Sequence, residues 1–180
     1  MSKYTVPDAI WPTNNSLEVP ALLPQLQADS VDSPFVAWGS QSRKKRMFGT
    51  WHFYTDDYRY TALIKSPHKL IETGCLTAVE PNFSLYDQMP TPVALFRIYQ
   101  KRWLSRYWQS KNIKILVDLN VSSKFRAYNL LGVPRGWQAY ATRGYNGRLD
   151  EIMQEYELAT AHAEGGPVLF VVYGGGAAVE

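Results

Sequence analysis

A chain of 180 residues with a net charge of +3, 46% hydrophobic and 14% aromatic, is the size of one folded domain and long enough to bury a core. No apolar run approaches the ~18 residues that cross a bilayer, so no membrane partner is expected. A single cysteine, Cys75, excludes an internal disulfide framework and a multi-cysteine metal site.

The start, "MSKYTVPDAIWPTNN", has no continuous apolar core of a secretory leader, and a cytoplasmic location is expected. Residues 1–34 carry five prolines among Asn, Ser and Asp, with only short apolar clusters. They read as an extended arm with one turn of helix near Leu22 to Gln27. Ile10, Trp11, Leu17, Leu22, Leu23 and Leu26 are its anchors, wrapping its own domain or docking on a neighbouring protomer or partner protein.

The single domain is expected over 35–176, followed by a tail at 177–180. "PFVAWG" (34–39) and "GTWHFYT" (49–55) read as strands around an exposed loop. That loop contains Arg43, Lys44, Lys45 and Arg46, and no acid occurs from Ser33 to Thr55. "DDYRYTALIKSPHKLIETG" (56–74) opens with two residues able to cap a helix and closes on glycine, which predicts a helix around Pro67. "CLTAVEP" (75–81) is a short strand, and a helix follows from about Val93 to Ser110.

That helix contains "RIYQKRWLSRYWQSK", within a stretch from Gln88 to Val117 that holds no acid. At ~100° per residue, Phe96, Tyr99, Trp103 and Tyr107 share one face, expected to pack on the sheet. Arg97, Lys101, Leu104 and Trp108 fall opposite. There Trp108 is either a base-stacking or docking residue between cations, or part of a second buried layer.

"IKILVDLNV" (113–121) is apolar on both alternating faces and predicts a strand covered on both sides. "FRAYNLLGVPRG" (125–136) holds a short helix, "WQAYATRG" (137–144) a strand, and "RLDEIMQEYELATAHAEG" (148–165) a helix stopped by Gly165. "PVLFVVYGGG" (167–176) reads as the last buried strand. The alternation predicts an α/β fold: a mostly parallel sheet, open or partly barrel-like, with helices packed on it and an extended N-terminal arm.

In such folds ligands collect beyond the carboxyl ends of the strands. Those ends carry Asp56, Asp57, Glu80, Asn82, Ser84, Asp118, Asn120, Arg143 and Tyr173, a polar rim. If Asp57, Glu80 and Asp118 converge, they could hold magnesium or manganese for phosphodiester or nucleotide hydrolysis; otherwise they cap helices and loop amides. His52, His68 and His162 share no ligand spacing. Cys75 has no basic activator beside it.

The order "WHFYTDDYRY", "EPNFSLYDQMP", "YQKRWLSRYWQ", "IKILVDLN", "LLGVPRGWQAYATRG", "VVYGG" resembles an uncharacterised domain family encoded by phages, plasmids and integrated bacterial elements. The resemblance covers about residues 50–175. The family pattern has Pro-Asp-Phe-Ser where this chain has Pro81-Asn82-Phe83-Ser84, and a tryptophan where Leu119-Asn120 stands. It implies a mobile-element context and carries over no activity. Three functions stand at this point. One is a nucleic-acid-associated accessory protein, contacting through Arg43, Lys44, Lys45, Arg46, Arg97, Lys101 and Trp108 with strongly salt-dependent binding. The others are a metal-dependent hydrolase and an interaction subunit using the arm.

Overall fold

The computed structural model describes residues 11–39, 47–145 and 147–176. Six parallel strands pair strictly in chain order: β1 (Phe35–Ala37), β2 (Thr50–His52), β3 (Thr77–Val79), β4 (Lys114–Asp118), β5 (Ala139–Arg143) and β6 (Leu169–Tyr173). Each strand in the expected order is present, and their parallel pairing is the fold the alternation predicts. The sheet curls. Phe35 of β1 and Tyr173 of β6 stand at opposite ends of the strand order, yet their rings are 6.0 Å apart. Cumulative twist between neighbouring strands bends an ordered parallel sheet this way. The result is a half-barrel.

Between β2 and β3 lie two 3-10 turns, Asp57–Arg59 and Thr61–Ile64, and the short helix α1 (His68–Ile71). The helix expected around Pro67 is confined to α1, which begins just after it, because Pro67 lacks an amide donor and its ring obstructs a helical turn immediately before it. Helix α2 (Thr91–Gln109) joins β3 to β4, α3 (Arg126–Asn129) joins β4 to β5, and α4 (Leu149–His162) joins β5 to β6. β4 is covered on both faces as expected, whereas β6 is only half-buried. It is the last strand in the sheet order, with no strand beyond it among the described residues, so Leu169 to Val172 are all only half-covered. Among the described residues no helix is long and apolar enough to cross a membrane.

The helix α2 keeps Trp103 of the expected core face inside but also buries Lys101, Leu104 and Trp108 from the face expected opposite. Its enclosed positions are Ala94, Ile98, Gln100, Lys101, Arg102, Trp103, Leu104, Ser105, Trp108 and Gln109. Phe96, assigned to the core stripe, is 45% exposed, and Tyr99 and Tyr107 are half-buried. Trp108 is fully enclosed; its Nε1 donates to the Pro67 carbonyl at 3.0 Å, and its ring stacks on Phe53 at 5.7 Å.

The described arm, 11–34, lies along its own domain. Leu22 N donates to Gly132 O, and Gly132 adopts φ +75° where a Cβ would run into the Pro20 carbonyl, so glycine seats the arm. Gln109 holds the next turn, donating to Leu23 O (3.0 Å) and Leu26 O (3.1 Å) and accepting from Leu23 N (2.7 Å). Farther on, Ala28 N donates to Ile115 O, Lys114 pairs with Asp29, and the hydroxyls of Thr50 and Thr77 donate to Asp32. The arm therefore crosses the amino ends of β2, β3 and β4. The opposite end of the sheet stays open.

Candidate ligand-binding site

Beyond the carboxyl ends of the strands is a cleft of about 1100 Å³. Of the predicted rim, Asp56, Asp57, Asn82, Ser84, Asn120 and Arg143 line it. Glu80 and Asp118 do not: both are fully buried beneath the floor. Tyr173 stands to one side, its ring 4.1 Å from His52 and 5.8 Å from Tyr54.

The floor is a buried ionic layer. Arg102 Nη1 donates to Glu80 Oε1 at 2.6 Å, and its other nitrogens donate to the carbonyls of Leu131 and Asn129. Lys101 Nζ donates to Asp118 O (3.0 Å) and Oδ2 (3.1 Å). Asp118 Oδ1 accepts from the Tyr54 hydroxyl at 3.2 Å, and Glu80 Oε2 from the Asp118 amide at 3.3 Å. Burial raises the Asp118 carboxyl pKa, with Lys101 pulling it back, and burial also raises the Tyr54 hydroxyl. Such groups are tolerated inside because each has a partner.

Two sets of assigned residues are corrected by this layer. Lys101 and Trp108 have no exposed surface, so neither reaches a nucleic acid from the outer face of α2. Arg97 remains half-exposed over the Phe83 ring, 5.3 Å away, and Arg43, Lys44, Lys45 and Arg46 lie outside the described residues. Asp57, Glu80 and Asp118 are not brought together as ligands. Glu80 faces Arg102, Asp118 faces Lys101, and Asp57 accepts from the Tyr60 and Ser84 hydroxyls and the Ser84 amide. Among the described residues no group of three His, Cys, Asp or Glu side chains is placed to hold a metal ion.

The cleft has two unlike walls. On the β2–β3 side are Asp56, Asp57 and Asp87. Asp57 is engaged as above, Asp87 accepts from the Ser122 hydroxyl, and Asp56 lies 3.8 Å from Arg59. On the β4–β5 side are Arg126, Arg143 and Arg148. Arg143 and Arg148 both lie against the Tyr145 ring, at 4.6 and 5.2 Å. Arg148 donates to Asn120 Oδ1 at 2.8 Å, and Asn120 Nδ2 donates to Asn82 Oδ1 at 3.2 Å, linking the walls across the floor. Arg126 donates to Gln154. Arg143 has no carboxylate partner among the described residues. Below it, burial and the Arg143 charge depress the His52 imidazole to about 4, so His52 is neutral at neutral pH.

Arg126, Tyr145 and Arg148 were absent from the predicted rim. They sit a few residues past the ends of β4 and β5, in "SSKFR" and "RGYNGR". Extending the search from the strand ends into the following loops would have reached them.

The model of a domain of unknown function, DUF4417, matches residues 11–175, taking in the arm, all six strands and both walls of the cleft. The chain belongs to the DUF4417 family. This DUF4417 domain is 32% identical over 111 residues to the Gene 1 protein of Mycobacterium phage D29, covering 59% of this chain and 40% of that protein. It is 31% identical over 109 residues to the Gene 1 protein of Mycobacterium phage L5, covering 58% and 46%. The matches thus span less than half the length of these curated relatives. They are phage proteins, in keeping with the mobile-element context that the resemblance implied. No solved structure matches the DUF4417 chain significantly.

Proposed function

We propose that this protein binds a phosphate-bearing ligand of the nucleotide class, free or as a unit of a nucleic-acid strand, in the cleft beyond its strand ends. The observation that carries the reading is the β4–β5 wall: three guanidinium groups line one open cleft, and Arg143 brings a charge unmatched by any carboxylate among the described residues. Planar guanidinium forks suit phosphate oxygens, and their hydrogen bonds to charged groups are the stronger kind. The aspartates of the opposite wall suit the hydroxyl or amino donors of a sugar or base. Tyr58 and Tyr86, both exposed on that wall, offer rings for a base to stack on. The nucleic-acid contact expected on α2 is thereby moved to the cleft, because Lys101 and Trp108, two of the three α2 residues that suggested it, serve the interior.

Titration with fluorescent mononucleotides and with short single-stranded DNA and RNA, at low and high salt, tests the reading. Binding should weaken at least about tenfold in Arg143→Ala, given the strength of charged hydrogen bonds. A steep salt dependence for strands and a shallow one for mononucleotides would indicate several phosphate contacts. No binding of any probe at low salt would falsify the proposal.

A further inference from the structure

Glu155 projects from α4 toward β5 and is wholly enclosed. Its Oε2 accepts the Thr142 hydroxyl. Its Oε1 accepts no hydrogen bond among the described residues, although it lies 3.6 Å from Arg148 Nη2. An enclosed carboxylate oxygen without a donor is costly when ionised. Arg148 is committed elsewhere as well, donating to Asn120 and to Glu151, and it lines the cleft.

The groups around Glu155 come from every neighbouring element. Arg148 stands at the start of α4, Arg126 on α3, Asp118 at the end of β4 and Tyr54 just past β2; Thr142 on β5 supplies the hydrogen bond. Two cations do not offset the enclosure, and burial pushes the carboxyl up to about 7.

We infer that Glu155 is a positioning residue whose protonation governs how much of the Arg148 charge the cleft offers to an anion. Ionised, Glu155 competes with a bound phosphate for Arg148; protonated, it releases that charge to the ligand. The inference rests on the reading of the cleft as a phosphate site and names its regulation. By linkage, an anion that binds Arg148 must also favour the protonated carboxyl.

Sulfate serves as the probe, because its own charge does not change across the range examined. The affinity of the full chain for sulfate, measured calorimetrically, should fall roughly five- to tenfold from about pH 6 to about pH 8, the scale of an ordinary coupling between two sites. Glu155→Gln should flatten that dependence. A flat profile in the unaltered protein, or an unchanged slope in Glu155→Gln, overturns the inference. If sulfate binds at no pH, the phosphate-site reading fails instead. The coupling is then judged by carboxyl-carbon NMR of the unaltered chain, which also serves if Glu155→Gln does not fold. A Glu155 midpoint near 7 that rises further in Arg148→Gln supports the coupling. An ordinary carboxyl midpoint, or one that Arg148→Gln leaves in place, overturns it.

Discussion

Lys101 and Arg102 are consecutive residues of α2, both without exposed surface, and each meets a carboxylate at the end of a different strand. Removing one partner of such a pair is worse than never having built it, because a buried charge is left alone. Arg102→Met should therefore cost about 3–5 kcal/mol in a denaturant melt. The double variant Arg102→Met, Glu80→Met should recover much of that loss, since no unpaired carboxylate remains. Trp108 makes the same point for an aromatic. Enclosed and stacked on Phe53, it should lose about 3–5 kcal/mol of stability as Trp108→Ala. A near-wild-type melting temperature for Trp108→Ala would contradict its placement in the core.

At the scale of the element, α2 is a helix whose inner face is partly ionic. Hydropathy assigns the inside of a helix to its apolar stripe, and here only Trp103 of that stripe is enclosed, while Phe96, Tyr99 and Tyr107 run along the flank. Lys101 and Arg102 join Ile98, Trp103 and Leu104 on the buried side because Glu80 and Asp118 lie opposite them. The end of the same helix holds the arm through Gln109, whose amide makes three hydrogen bonds with the Leu23 and Leu26 backbone. Gln109→Leu strands those backbone groups and should destabilise the protein by about 1–3 kcal/mol. In hydrogen exchange the change should appear first as lost protection at Leu23, whose amide donates to Gln109. Cutting away residues 11–34 would go further, because Val19, Leu22 and Ala28 belong to the buried set.

For the molecule as a whole, the seam of the half-barrel carries a pH dependence. His52 stacks on Phe35 at 4.6 Å and meets Tyr173 at 4.1 Å, joining the first strand to the last. Its folded pKa of about 4 lies below the unfolded value of 6.5, so its contribution is complete above about pH 6.5 and is lost as the pH falls toward 4. The full loss is on the order of 3 kcal/mol. Glu155 has the opposite sign. Its raised folded pKa favours the native state below the unfolded value of 4.5, and that contribution is lost as the pH rises through about 7. His52→Phe keeps the stack while removing the proton site, so melting temperatures from about pH 7 to 4.5 should fall less steeply than in the unaltered protein. An identical slope would exclude His52 as the source.

The order of strands and the two long helices was legible in the sequence, while the extent of the helix read within 56–74 was not. Short β-branched and aromatic runs, most of them bounded by glycine or proline, marked all six strands, and the alternation with helices that follows predicted a mostly parallel sheet. The sequence also pointed to the end of the sheet where the cleft lies, because strand ends can be read wherever strands can. That Lys101 and Trp108 lie on the inner side of α2 was not legible, since a buried cation looks like a solvated one until the carboxylate opposite it is known. The same holds for Asp57, Glu80 and Asp118. Their positions at successive strand ends were legible, but whether they met each other or met Tyr60, Arg102 and Lys101 depended on side-chain direction across the sheet. The curl that brings Phe35 to Tyr173, and with it the starts of α3 and α4 that carry Arg126 and Arg148 to one cleft, depends on twist summed over six strands. No local stretch of sequence encodes that sum.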